Sequence, residues 1–150
     1  MKIRYKYTTA TKGRFLFLAV PAFPEIVVRI EDEDISRDDL YTLAERAIRH
    51  ALQARLTYND VVPDDVTYEG SDDWSSVQMT PLVIMKVLLH LECRDRGWSK
   101  ADLARRLEVT PTTATRLLDL FHESRSEVVT HAFRHLGKEI HTTIDLVQVD

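Results

Sequence analysis

The sequence predicts an α+β fold: a small sheet backed by one long helix, then an all-helical half that closes with a short strand. Three patterns carry that expectation. Between Lys2 and Ile30 the apolar residues alternate or run in short stretches broken by Gly13, Pro21 and Pro24. From Leu40 to Leu52 they recur every three or four residues. Later in the chain Pro81 and Pro111 each follow a threonine, the pairing that starts a helix.

Ile3, Tyr5 and Tyr7 share one face of Lys2–Tyr7, with Lys2, Arg4 and Lys6 on the other, as in a half-exposed strand. Arg14–Val20 is apolar on both faces and is expected to run more centrally. Thr11-Lys12-Gly13 between them is hairpin chemistry, because Gly13 takes a positive φ without steric cost. Pro21 and Pro24 break the run, and Ile26–Ile30 is the third strand. Ser36 is placed to cap the next helix and Asp39 to return the bond. Asp38 and Asp39 also suit the positive end of the helix dipole. Leu40, Leu43, Ala44, Ala47, Ile48, Ala51 and Leu52 then form one apolar stripe that ends near Leu56. A β-β-β-α unit buries little surface alone, so an added strand or a second copy should complete it. Trp74–Met79 is the segment expected to add that strand. Asn59–Ser76, with Asp60, Asp64, Asp65, Asp72, Asp73, Pro63 and Gly70, reads as an acidic linker that buries too little apolar area to offset its ordering entropy.

In the second half Thr80-Pro81 opens a helix that is apolar almost all round over Leu82–Leu91, as a central buried helix would be, and Gly97 stops it. Ser99 and Asp102 form a capping-box pair for Lys100–Leu107, whose buried side is Leu103, Ala104 and Leu107. Glu108-Val109-Thr110 is a three-residue break, and Pro111 forces a new helix axis because it cannot continue the old ladder. Ala114, Leu117, Leu118 and Phe121 are expected inside; Thr112, Thr113, Thr115, Arg116 and Asp119 are left outside. Two short helices joined by three residues and preceded by a buried helix make the helix-turn-helix layout. Threonine is a mediocre helix former, so a solvent face rich in it suits close approach to base edges and phosphates better than stability. Glu108 falls where such turns favour glycine, so a glutamate there must take a positive φ at some cost or the turn must differ. Val128, Val129, Ala132, Phe133 and Leu136 predict a further helix from Ser126, stopped by Gly137. Ile140, Thr142, Ile144 and Leu146 alternate as a closing strand, and an exposed strand at a chain end invites a second chain, hence a dimer.

The net charge of −4 is unevenly spread. Residues 1–24 hold five basic side chains and no acids, residues 25–75 a net of −9, and residues 94–138 a net of +3. An acidic first half disfavours nucleic acid and suits a basic protein; the basic middle of the second half permits phosphate contacts. The single cysteine, Cys93, excludes an intramolecular disulfide framework and points to a reducing compartment, the cytoplasm. Phe15–Val20, the longest apolar run near the start, is too short for a signal-peptide core or a membrane span.

Other constellations read as structural. Glu31-Asp32-Glu33-Asp34 are consecutive loop acids, whereas two-metal hydrolysis needs carboxylates converging from separate strands. His131 and His135 are one helical turn apart, but Ala132 stands where a zincin has glutamate and no third ligand is evident. Cys93 reads as a small core hydrophobe and Trp98 as a packing anchor. His50, His90, His122 and His141 read as ordinary polar or interface residues, and four glycines make no phosphate loop.

Along nearly all its length the chain resembles HicB antitoxins, the DNA-binding members of HicAB toxin–antitoxin pairs. VPAFPEIVVRIEDEDISRDDLYTLAERAIRHAL is similar to the family's degenerate ribonuclease H-like domain, with Pro24-Glu25-Ile26 where a proline-glycine-cysteine turn is usual. PLVIMKVLLHL, SKADLARRLEVTPTTATRLLDLFHESR and VVTHAFRHLGKEI match in order and spacing; TRLLDLFHESR and HLGKEI are the more specific parts. The resemblance implies a partner- or toxin-binding domain over residues 1–76, including the acidic linker 59–76, and a helix-turn-helix domain over residues 77–150. The partner it implies is a HicA-type toxin, a small basic mRNA-cleaving ribonuclease whose catalytic histidine is occluded. The second partner is operator double-stranded DNA, contacted through Lys100, Thr112, Thr113, Thr115 and Arg116. The expected protein is therefore an antitoxin and autorepressor, a dimer or tetramer, not an enzyme, working without cofactor or metal. The competing reading is a stand-alone transcription regulator whose first domain senses a ligand.

Overall fold

The computed structural model describes residues 1, 3–31, 34–64, 75–146 and 148. An antiparallel sheet comes first and helices follow, an α+β architecture. The strands are β1 (Arg4–Lys12), β2 (Phe15–Val20), β3 (Phe23–Ile30) and β4 (Ser75–Gln78), in the order β3-β2-β1-β4. The helices are α1 (Arg37–Thr57), α2 (Pro81–Asp95), α3 (Lys100–Leu107), α4 (Pro111–Leu118) and α5 (Ser126–His135).

Gly13 and Arg14 make the β1–β2 turn, with Lys12 opposite Phe15. Gly13 has φ 61 and is the turn's one positive-φ residue, the type II′ pattern whose twist suits a hairpin. Tyr5 pairs with Val77 across β1 and β4, so the segment after the linker completes the sheet as expected. The linker's residues 65–74 and the acids Asp32 and Glu33 lie outside the described residues.

Pro24 does not end the strand run. It lies inside β3, which starts at Phe23 and keeps Phe23, Ile26 and Ile30 buried. Proline is tolerated there because β3 is an edge strand and the ladder shifts register at Ala19/Val20.

Ile3, Tyr5, Tyr7, Leu18, Val20 and Phe23 of the sheet meet Ala44, Ile48, Leu52 and Leu56 of α1 in the first core. Burying each large aliphatic or aromatic side chain contributes about 1.5–3 kcal/mol. Arg55 of α1 donates Nε and Nη2 to the two carboxylate oxygens of Glu25 on β3, at 2.8 and 3.0 Å. That fork holds the Glu25 carboxyl below its ordinary value.

Helix α2 is apolar almost all round because it lines two cores. Val83 and Val87 pack into the sheet core; Leu89 and Cys93 pack with Leu103, Leu107, Ala114, Leu117, Val129 and Phe133 into a second. Burial pushes the Cys93 thiol up to about 11.

Three expectations for the last third change. Helix α4 ends at Leu118, so Leu120 rather than Phe121 turns inward; Phe121 is 37% exposed and lies against His50 and Arg49. Val128 is 42% exposed, because the buried side of α5 is Val129, Ala132 and Phe133. Ile140–Leu146 forms no strand: among the described residues no backbone ladder pairs with it, and Ile144 and Leu146 are 78% and 100% exposed.

Candidate nucleic-acid interface

The α3–turn–α4 unit is assembled from local signals. Ser99 accepts from the Asp102 backbone N–H at 3.1 Å, and the Asp102 carboxylate accepts from the Ser99 N–H at 2.9 Å, a complete capping box. These bonds from Ser99, helped by Arg105, hold the Asp102 carboxyl below its ordinary value. Helix α3 then stops at Glu108, whose φ of 55 and ψ of 41 are left-handed. Val109 N–H reaches back to Ala104 O at 3.0 Å and closes the end. Of the two alternatives the sequence left open, a positive φ at Glu108 or a different turn, the structure takes the first. Glu108→Gly is expected to raise stability by about 1 kcal/mol, or about 2–4 °C in melting temperature. Thermal unfolding checks it; an unchanged or lower melting temperature would mean the backbone there is not strained.

Thr110 starts α4. Its hydroxyl accepts from the Thr113 N–H at 3.2 Å and lies 3.0 Å from the Thr113 hydroxyl. Pro111 occupies the first helical position. Ala114, Leu117 and Leu118 anchor α4 in the second core. The opposite side of the helix is a ridge of Thr112, Thr115 and Arg116, all exposed. The structure brings these three together on one short helix. Thr113 stands apart from them, half-buried, with its hydroxyl turned to the cap. Lys100 is exposed in the first turn of α3.

Sequence reasoning missed two groups. Arg105 and Arg106 are exposed cations on α3; Arg105 is paired with Asp102 at 2.6 Å and Arg106 lies 4.9 Å from the Trp98 ring centroid. Trp98, held also by Arg96 at 5.1 Å, is a packing anchor for α3.

The second group sits at the far end of α4. Lys86 of α2 is wholly buried, and its ammonium donates to three backbone carbonyls: Arg116 O at 2.9 Å, Asp119 O at 2.7 Å and His122 O at 2.6 Å. Burial pushes Lys86 below its ordinary pKa, against the opposing pull of Asp119. His90, one turn along α2, places Nε2 2.6 Å from Leu118 O, and because a carbonyl only accepts, Nε2 carries the proton. Burial lowers the His90 pKa, which favours that neutral ring. Gln53 of α1 donates to Leu118 O at 3.4 Å and accepts from Leu120 N–H at 2.8 Å. The only hint in the sequence is that Lys86 and His90 are polar interruptions four residues apart in an apolar helix.

His131 and His135 place their Nε2 atoms 3.0 Å apart on the outer side of α5. Among the described residues no three histidine, cysteine or acidic groups are grouped to hold a metal, and no helix is long and apolar enough to cross a membrane.

A four-stranded antiparallel sheet backed by one helix, leading through a shared helix into a capped helix-turn-helix pair, defines a two-core α+β chain. The chain belongs to the HicB antitoxin family. Antitoxin HicB of Pseudomonas fluorescens (strain Pf0-1) is 33% identical to it over 99 residues, 66% of this chain and 67% of that protein. No protein-family profile matches.

Proposed function

We propose that the chain is an antitoxin that binds and neutralises a HicA-type mRNA-cleaving toxin and represses the operon encoding the pair. Residues 77–150 act on operator DNA and residues 1–76 on the toxin, in the cytoplasm, as a homodimer or a higher homo-oligomer. The observation that carries the DNA half is the exposed Thr112, Thr115, Arg116 ridge on a helix fixed at its start by Thr110 and Pro111. Small hydroxyls permit close approach to base edges, and one arginine supplies a bidentate donor. Lys100 and Thr113 are proposed at the margins, on the phosphate backbone.

Charge supports the toxin half. Glu31, Asp34, Asp38 and Asp39 are exposed before and within the first turn of α1, and Asp60 and Asp64 are exposed beyond its end. Acids flanking both ends of one helix suit a basic partner and accelerate its encounter. The Pseudomonas relative's name supports the antitoxin reading itself.

A gel-shift series with the DNA upstream of the gene tests both halves, run with and without the basic polypeptide encoded next door. The expected results are a specific shift by the chain and a stable complex between the two proteins. Association between them should slow as salt rises, since exposed charges are screened over about 8–10 Å at ordinary ionic strength. A chain that shifts its upstream DNA only with a small ligand, and binds no neighbouring polypeptide, would instead be a stand-alone regulator.

A further inference from the structure

The helices of this chain end in two ways. Four of them stop on a left-handed residue: Asn59 after α1, Gly97 after α2, Glu108 after α3 and Gly137 after α5. In each, an N–H one residue further on reaches back five positions to the helix: Asp60 to Arg55, Trp98 to Cys93, Val109 to Ala104 and Lys138 to Phe133, at 2.8–3.0 Å. The chain thus closes these ends with its own backbone. Helix α4 does not. Its end residue Asp119 is extended, with φ −85 and ψ 112; its N–H makes a long 3.4 Å bond to Arg116 O, and among the described residues no backbone donor reaches back five positions.

Side chains from two other helices take over that task. A protonated lysine has three N–H donors, and Lys86 spends all three on the carbonyls of Arg116, Asp119 and His122. His90 and Gln53 both reach the Leu118 carbonyl, and Gln53 also receives the Leu120 N–H. A buried positive charge at the negative end of a helix is favourable twice over, through the dipole and through the hydrogen bonds.

We propose that Lys86, His90 and Gln53 form a clamp that fixes the axis of α4, with Lys86 the positioning residue for operator recognition. This rests on the proposal that α4 reads DNA. A two-turn helix closed by its own backbone would keep its shape and still pivot on its apolar side. Bonds from α1 and α2 remove that freedom, so Thr112, Thr115 and Arg116 reach the groove already oriented. Lys86 is wholly buried, out of reach of a phosphate, so its effect on binding runs through the end of α4 and the segment to His122 that it holds. Gln53 extends the same restraint to α1, the helix of the sheet core.

The test uses the full-length chain carrying Lys86→Met, Lys86→Arg or Gln53→Ala. Amide hydrogen exchange is read in the free protein, and affinity for upstream DNA and for a shuffled duplex at two salt concentrations. In Lys86→Met, exchange should accelerate across residues 116–122 while α1 and the sheet stay protected. Affinity for upstream DNA should fall about tenfold or more, with affinity for the shuffled duplex and the salt slope unchanged. Equal losses on both duplexes, or no loss on either, would overturn the positioning role. Should Lys86→Met fail to fold, Gln53→Ala decides. It leaves the ammonium in place and should speed exchange at Leu120 and lower the upstream-to-shuffled ratio about threefold; no change in either refutes the clamp. Lys86→Arg should recover only part of the ratio, because a planar guanidinium cannot point at three carbonyls around one nitrogen. If the unaltered chain already shows no preference for upstream DNA, the DNA reading itself fails. The exchange result then still reports whether the clamp holds α4.

Discussion

Arg116→Ala is expected to weaken binding to operator DNA by about 1–3 kcal/mol, roughly 5- to 150-fold, if the side chain reads a base edge. Arg116 is exposed in the last turn of α4, beside Thr112 and Thr115, and its guanidinium forms no ion pair among the described residues. It is thus available to a bidentate acceptor such as a guanine edge. Its backbone carbonyl, by contrast, is held by Lys86, so truncating the side chain leaves the helix anchored. The variant should keep the wild-type melting temperature and, on the proposed function, keep binding the basic polypeptide encoded next door. Titration of labelled upstream and shuffled duplexes at two salt concentrations separates the outcomes. A base-reading arginine loses the sequence preference; a phosphate-contacting one loses affinity uniformly and lowers the salt slope by about one. Wild-type affinity on both duplexes would remove α4 from the interface.

The largest effect on stability is expected from Leu103→Ala, about 2–5 kcal/mol of destabilisation. Leu103 is completely buried in the second core, among side chains of α2, α4 and α5. Deleting three carbons there removes transfer energy and leaves a cavity that the short helices α3 and α4 fill only in part. Urea unfolding measures the loss directly. Cys93 offers a second readout in the same core. With its thiol pushed up to about 11 and its sulfur buried, it reacts with alkylating reagents at neutral pH only when that core opens. Its modification should therefore quicken at least about 30-fold in the variant. A stable Leu103→Ala chain, or one with Cys93 as slow as before, would contradict the packing described for α3.

What was legible in the sequence was legible because it is local. Ser36, Thr80, Ser99 and Thr110 each accept from the backbone N–H three residues on, so a cap and its partner fall within one glance along the chain. Glu108 could be recognised as a strained turn residue for the same reason. Periodicity located the core faces of α1, α3 and α4, but it does not say where a helix stops. The three- and four-residue spacing runs on to Phe121, while the helix ends at Leu118 and Leu120 takes the buried place. Alternation over Ile140–Leu146 suggested a strand, yet a strand exists only where another backbone lies beside it.

The clamp on α4 was out of reach for a different reason. Lys86 and its three carbonyls are separated by 30 to 36 residues, and backbone carbonyls carry no residue identity to read. In the sequence Lys86 is one charge in an apolar helix; its partners are visible only once α2 and α4 cross. Charge totals misled in a smaller way. Glu25 counts towards the acidic first half, but the fork from Arg55 already occupies it.

Pro24 has a bearing on how this chain behaves at high concentration. A sheet that ends in an open strand offers a row of amide donors on which another chain's strand can grow, the first step of ordered aggregation. On β3 that row is interrupted: Pro24 has no amide hydrogen to offer, and the β2–β3 ladder shifts register beside it, at Ala19/Val20. Residues that seemed merely to punctuate the sequence thus work against runaway self-association, in a protein with an exposed Val27 on the same strand.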